Sequence, residues 1–437
     1  MKAGRRRTMI EISPKLNPQK VLKEMIFDEE GRWAVPAANR LKVVDAAIAP
    51  KSVIIKDDTL RESTNMPGAA PTNEQKLELA KRLEAIGVKE IVGGHAGMKE
   101  QCDLMRMIKD VCPGLMVHAY VDFGDWKRGM DMAVAAGVDA LWMPGALNQS
   151  PVFAGKLGSR YAIWGPDFDL PTVLETVEAA IKTAKDKGKL ISVGRAPFDS
   201  EILPRALETY VKAGADRIAF TDGMGSYTPQ TMAYIVKWIR DIVGPDIKID
   251  VHCHDDYGLA LANTLEAVRA GADVVDCVLN GYSHRSGNCT LDQIVLALEA
   301  LYDIRTGVDV RQLMPLCQFA SAIFGVPIPP LAPHIGASAY SYGGVHIGAL
   351  LQEGWFLWES VRAETIGQHR YIVWTPTALE RHGLAGPVAV KIQTMGLTCN
   401  EAQLEQVFEK LRKVMAVKKF ATDEELEAVV REVLGKP

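Results

Sequence analysis

From Ser52 onward, short apolar runs of strand length alternate with amphipathic stretches of helix length. One phrase marks the alternation four times: a helix end, a glycine, a small apolar residue, then a strand. It reads Ala85-Ile86-Gly87-Val88-Lys89-Glu90-Ile91-Val92, then Ala135-Ala136-Gly137-Val138-Asp139-Ala140-Leu141-Trp142. It returns as Lys212-Ala213-Gly214-Ala215-Asp216-Arg217-Ile218-Ala219 and as Arg269-Ala270-Gly271-Ala272-Asp273-Val274-Val275-Asp276. The glycine supplies the left-handed cap that ends a helix, and the apolar run behind it reads as a buried parallel strand. Helical spacing of apolar residues precedes the copies, as at 74–83 and 259–268. Further strands fit between them at 53–56, 115–120, 190–193 and 247–251. The pattern predicts eight strand–helix units from about 52 to 302, an α/β fold of the (β/α)8 TIM-barrel type. A doubly wound open sheet is the alternative. It usually carries a glycine-rich phosphate turn after its first strand, and the segment 57–65 has no glycine.

Three segments follow: an N-terminal arm over 1–50, the barrel over 51–302 and a mainly helical subdomain over 303–437. In the arm, Pro14 and Pro18 precede a short helical stretch, 21–27, and a turn, 28–33. The arm is expected to pack on the barrel's outside or on a partner subunit. The loop 144–169, with Arg160 and Tyr161 inside it, is long and rich in Gly, Pro and Ser; it suits a lid over the barrel mouth or a plain surface insertion. Charged faces at 401–414 and 423–433 read as solvated helices.

Composition narrows the function classes. The chain has 437 residues, 48% hydrophobic and 24% charged, as in ordinary soluble globular proteins. Its formal net charge of -4 gives no reason to expect nucleic acid. Arg5-Arg6-Arg7 reads as a solvated tail, with no apolar segment behind it. No apolar run approaches the ~20 residues of a membrane span. Seven scattered cysteines fit a reducing, cytoplasmic setting rather than a disulfide framework.

The chemistry centres on Ile249-Asp250-Val251-His252-Cys253-His254-Asp255-Asp256-Tyr257-Gly258. Side chains at i and i+2 of a strand share a face, so His252 and His254 project together at the strand's C-terminal end, the spacing for two imidazoles on one metal ion. Alone, the pair reads equally well as two polar residues at a strand end. Barrel active sites lie at the strand C-termini, which gathers 57–62, His95, Thr221-Asp222, the histidine pair and 280–288 on one rim. A carboxylate from the first strand's exit, Lys56-Asp57-Asp58-Thr59-Leu60-Arg61-Glu62, would complete a two-histidine, one-carboxylate site for Mn2+, Mg2+, Fe2+, Co2+ or Zn2+. Arg61 beside it suits a substrate carboxylate or a developing enolate.

Three stretches together resemble the signature regions of the DRE-TIM metallolyases. They are Asp57-x-Thr-Leu-Arg61-Glu62, the run from Val251 to Asn263, and Asn280-Gly281-x-x-x-Arg285-x-Gly287-Asn288. That superfamily includes 2-isopropylmalate, homocitrate and Re-type citrate synthases and 3-hydroxy-3-methylglutaryl-CoA lyase. The segment around Gly344-Val345-His346 resembles a histidine loop of the synthase branch. The resemblance implies that Glu62, His252, His254 and Asn288 bind a divalent metal, Mn2+ or Mg2+ first, with Zn2+ or Co2+ as alternatives. It implies that Arg61 stabilises the oxyanion, that His346 transfers protons in a homodimer or higher homo-oligomer, and that Asp222 supports catalysis. Asp57, His95, Arg195, Thr221, His284 and Arg285 would face the substrate. The implied reaction is a Claisen-type condensation of an acyl-CoA, acetyl-CoA foremost, with a 2-oxo acid.

The chain departs from that pattern. Asp222-Gly223-Met224-Gly225 stands where synthases have Asp-Thr-Val-Gly, and Val193-Gly194-Arg195 where a glutamate is usual. His284 replaces another glutamate, and the second strand ends Val92-Gly93-Gly94-His95 rather than Glu-x-Gly. These changes suggest a site for a different anionic or polyoxygenated substrate. They also keep open a carbon–carbon lyase on the same barrel, for which Cys289 resembles the lyases' reactive loop cysteine, although a structural role suits it better. A barrel that binds a metabolite without catalysis is the third reading. A biotin-dependent carboxyltransferase needs a rim lysine near the metal, and the rim segments offer none.

Overall fold

The structure is a computed structural model. It describes residues 25–36, 39, 50–145, 170–194, 202–343, 347, 351, 359–379, 384 and 386–435. Eight parallel strands close into a barrel: β1 (Ile54–Asp57), β2 (Glu90–His95), β3 (Met116–Tyr120), β4 (Ala140–Pro144), β5 (Leu190–Gly194), β6 (Arg217–Asp222), β7 (Lys248–Cys253) and β8 (Val274–Cys277). Each strand pairs with the next, and β8 closes on β1 with Cys277 opposite Asp57. Helices such as Asn73–Ala85, Lys99–Val111 and Pro229–Val243 connect them, as the βα rhythm predicts.

The four repeated glycines do what the sequence asks of them. Gly87, Gly137, Gly214 and Gly271 have φ of 96°, 81°, 96° and 108°. Behind each, the next amide reaches back to the helix, as in Val88 N–H to Leu83 O at 3.1 Å and Ala272 N–H to Ala267 O at 3.0 Å. This left-handed cap turns the chain from each helix into the next strand.

The barrel's interior is not wholly apolar. Lys56, Asp250 and Asp276 are buried together, with Lys56 Nζ 2.9 Å from Asp276 and also paired with Asp250. Lower in the barrel, Arg217 reaches across from β6 to Glu90 on β2 at 2.5 Å and 2.7 Å, and His118 Nε2 stands 2.8 Å from the same carboxylate. Removing one member of such a buried set costs about 3–5 kcal/mol, because it strands the other charge.

The barrel belongs to a compact unit, Asn39–Ile328. That unit runs past Tyr302, where the βα rhythm stops, because helix Leu313–Phe324 packs on helix Asn73–Ala85. The second unit joins the N-terminal segment to the residues from Pro329 onward. Its core gathers Trp374, Val388, Ile392, Leu404, Phe408, Leu411 and Leu426, supplied largely by helices Glu401–Lys418 and Asp423–Leu434. The expected arm helix over 21–27 is corrected where it is described: Met25–Phe27 is a strand, antiparallel to Ala34–Pro36. Asp28 closes the turn between them by accepting the Arg32 amide at 3.2 Å and its Nε at 2.9 Å. The hairpin then pairs with this unit, Ala34 N–H to Ser360 O at 2.8 Å. Among the described residues, no helix is long and apolar enough to cross a membrane.

Candidate active site at the barrel mouth

β7 ends at Cys253, and its parity places His252 and His254 on one side, their Nε2 atoms 3.4 Å apart. Asn288 arrives from the loop after β8 and its Nδ2 lies 3.0 Å from His252 Nε2. That loop turns at Gly287, φ 89°, where a Cβ would stand 2.2 Å from Gly281 O, so glycine is required. Glu62 comes from the short helix Thr59–Glu62 that follows β1 at once. Its Oε1 is 3.9 Å from His252 Nε2. Its Oε2 accepts from Ser283 Oγ at 2.6 Å and Asn65 Nδ2 at 3.3 Å, and faces His284 Nδ1 at 3.5 Å. The ring of His284 lies 4.8 Å from that of His254.

The electrostatics leave Glu62 and His254 in metal-ready protonation states. Burial alone would raise the Glu62 carboxyl, but Arg61, His284 and His252 outweigh it and hold it well below the usual carboxylate range. Burial, with the neighbouring His252, pushes His254 down to about 2, so its ring is neutral. Burial opposes charge on His252, yet Asp276 and Glu62 together raise its pKa above the ordinary value. A cation at its Nε2 would therefore displace a proton at low pH.

Arg61 is buried and turned onto two carboxylates. Its Nε donates to Asp58 at 2.9 Å and its Nη2 approaches Glu62 at 2.5 Å. Its guanidinium lies 5.4 Å from the Tyr120 ring and 5.7 Å from the Trp142 ring, which are 4.8 Å from each other. His95 meets Tyr120 edge-on at 4.7 Å, and burial with the Arg61 charge lowers its pKa. The mouth thus has an imidazole and carboxylate side from β7, β8 and β1, and an aromatic side from β2, β3 and β4.

Other predicted residues take different places. Asp57 is fully buried and accepts from the Thr59 amide at 3.1 Å and hydroxyl at 2.8 Å; burial pushes its carboxyl up to about 7. Asp222 accepts from the Ser226 and Tyr227 amides at 3.0 Å and 3.1 Å and from Asn263 Nδ2 at 3.3 Å, so its carboxylate organises the loop after β6. Arg285 pairs with Asp256 at 2.9 Å and donates to Gly223 O at 2.8 Å, tying three rim loops together. Thr221 stands beside His252 in register, its buried hydroxyl without a hydrogen-bond partner among the described residues. Cys289 is buried, and that burial pushes its thiol up to about 12. Arg195, His346 and the loop from 146 to 169 lie outside the described residues.

The sequence reading set Asp58 and Ser283 on the rim without giving either a role, and it missed Asp276, Tyr120 and Trp142. Their signal was positional: each stands within the last residues of a barrel strand or in the loop behind it.

Two groupings of metal donors share His252. Among the described residues, Asp58, Asp276 and His252 offer ligand atoms within 4.8 Å of one another. Those carboxylates are already engaged, Asp58 by Arg61 and Asp276 by Lys56. On the other side of the ring, two imidazole nitrogens face each other beside an anionic carboxylate, and Asn288 Oδ1 is buried without a partner among the described residues. Two nitrogens bound at about 2.0–2.2 Å to one ion stand roughly 3.0–3.4 Å apart. The observed 3.4 Å fits, and the donor chemistry fits a divalent cation.

Comparison with known proteins places the chain. The HMGL-like family model matches residues 52–319. Homocitrate synthase AksA of Methanopyrus kandleri is 32% identical over 392 residues, covering 88% of this chain and 93% of its own. (R)-citramalate synthase CimA of Methanocaldococcus jannaschii is 30% identical over 389 residues, covering 88% and 75%. The chain belongs to the HMGL-like family of DRE-TIM metallolyases. The HMG-CoA lyase of Bacillus subtilis shares the barrel fold at a TM-score of 0.56 and 20% identity, over 66% of this chain and 98% of that one.

Proposed function

We propose that the protein is a divalent-metal-dependent acyltransferase joining an acyl-CoA, acetyl-CoA foremost, to the carbonyl carbon of a 2-oxo acid. The observation that carries this reading is the convergence of His252, His254, Asn288 and Glu62 beside Arg61 at the barrel mouth. Those four residues would hold the ion. When bound, Mn2+ or Mg2+ would polarise the acceptor's carbonyl as a Lewis acid.

The chain's own residues supply the rest. An α-proton passes from the acyl group to a general base, the new carbon–carbon bond forms at the acceptor's carbonyl carbon while its oxygen takes a proton to become a hydroxyl, and water then cleaves the thioester to give a carboxylate and free CoA thiol. Arg61 stays cationic despite burial, because Asp58 and Glu62 raise its pKa further, and it faces the oxyanion that develops. Tyr120 and Trp142 exclude water on its far side. His346 is assigned to proton transfer on the sequence resemblance, in a homodimer or larger homo-oligomer. The two curated relatives are named for different hydroxy acids, which supports condensation without fixing one acceptor.

A cleavage reading keeps one observation. Gly223, which has no side chain, stands where the resemblance expects a threonine hydroxyl for the acceptor's carboxylate. The buried Cys289 gives that reading no support.

The test is thiol release by Mn2+-supplemented protein from acetyl-CoA with oxaloacetate, 2-oxoglutarate, 2-oxoisovalerate or pyruvate. Release that needs one acceptor and vanishes in His252→Ala establishes condensation. If metal-loaded protein releases no thiol with any acceptor yet splits a hydroxy acid, the cleavage reading replaces it.

A further inference from the structure

Strand register sets three side chains in one row across the barrel: Lys56 on β1 is opposite Asp276 on β8, and Asp276 is opposite His252 on β7. All three are buried. Asp276 Oδ2 is 2.9 Å from Lys56 Nζ, while its other oxygen, Oδ1, is 3.0 Å from His252 Nδ1. Oδ1 makes no hydrogen bond of standard geometry among the described residues, so this 3.0 Å approach is an ion-pair contact and leaves Oδ1 free to take the imidazole N–H. On the far side of the imidazole, Asn288 Nδ2 lies 3.0 Å from Nε2. An amide N–H there requires a lone pair on Nε2, so the ring's proton belongs on Nδ1, toward Asp276.

We propose that Asp276, anchored by Lys56, is the positioning residue that fixes the tautomer and direction of His252, leaving the Nε2 lone pair aimed at the mouth. Neither residue touches the reacting atoms. Asp276 is then an outer partner of a metal-binding imidazole rather than a ligand. Lys56 keeps its carboxylate from turning, with Asp250 as the second anion that fixes the lysine. Carboxylate–imidazole pairs of this kind fix the ring orientation and raise the basicity of the ligand, and their loss costs about 10- to 100-fold in metal affinity. The inference rests on the metal reading above.

The experiment uses the full-length protein, stripped of metal, as wild type, Asp276→Asn and the double variant Lys56→Met/Asp250→Asn. The double variant removes one cation and one anion, so the interior keeps its charge balance. Side-chain 15N NMR reads the His252 tautomer, and calorimetric titration with Mn2+ reads affinity. Wild type is expected to show protonated Nδ1 and bare Nε2. Both variants are expected to mix tautomers and to bind Mn2+ about 10- to 100-fold more weakly. Variants that melt earlier but keep the wild-type tautomer and Mn2+ affinity would reduce the row to a structural role and overturn the proposal. A bare Nδ1 in wild type overturns it too, even where a variant fails to fold. Wild type that binds no Mn2+ while showing the Nδ1–H tautomer, lost in Asp276→Asn, upholds the positioning claim and sinks the metal reading instead.

Discussion

Glu62→Gln removes the anion from the imidazole side of the mouth while keeping its shape. Glu62 Oε1 stands 3.9 Å from His252 Nε2, which is itself 3.4 Å from His254 Nε2. Two unit charges about 4 Å apart interact by about 4 kcal/mol at an effective dielectric near 20. The glutamine oxygen can still face a cation and recovers part of that. The net loss falls between about 1.4 and 4 kcal/mol, or roughly 10- to 1,000-fold in Kd for Mn2+. The apo fold is expected to survive, because Arg61 keeps its pair with Asp58 and Ser283 can still donate to the amide oxygen. The assay is calorimetric titration of apo protein with Mn2+, with thermal melting of the apo forms as the folding control. A well-folded Glu62→Gln variant with a Kd within threefold of wild type would refute the assignment of Glu62 as the anionic ligand.

Two further expectations follow from the buried groups. Cys289, buried and with its thiol pushed up to about 12, should resist iodoacetamide in the native protein, and Cys289→Ser should keep its turnover. Rapid alkylation with loss of activity would revive the lyase's cysteine. Glu90 is raised by burial but held below its ordinary pKa by Arg217 and His118. A depressed carboxylate contributes stability above its unfolded pKa of about 4.3, and that stability is lost as pH falls through the folded value. Glu90→Gln should therefore cost about 3–5 kcal/mol at pH 7 in urea melts, by stranding Arg217, and the gap to wild type should narrow below about pH 4. A gap unchanged from pH 7 to pH 3 would contradict the ion-pair account.

Much of the fold was legible because the barrel is built from a local device. A helix that must stop and feed a buried strand needs a left-handed residue, and Gly87, Gly137, Gly214 and Gly271 announce it. The histidine pair was equally legible, since strand parity alone puts His252 and His254 together. What escaped was the barrel's inside. Lys56 and Asp276 read only as strand-end residues, because no local pattern says that β8 closes on β1 and sets them side by side. Asp222 shows the converse: its place on the rim was predictable, but only the folded loop shows its carboxylate accepting the Ser226 and Tyr227 amides. Residues 25–27 read as helix because nothing local reveals their antiparallel partner, 34–36.

The central claim is a metal centre on the Nε2 side of His252. It is tested most directly by anomalous diffraction from crystals soaked in Mn2+. The account predicts one strong peak about 2.0–2.3 Å from the Nε2 atoms of both His252 and His254, with Glu62 facing it. A peak between Asp58 and Asp276 on the Nδ1 side, or none at full Mn2+ saturation, would contradict it.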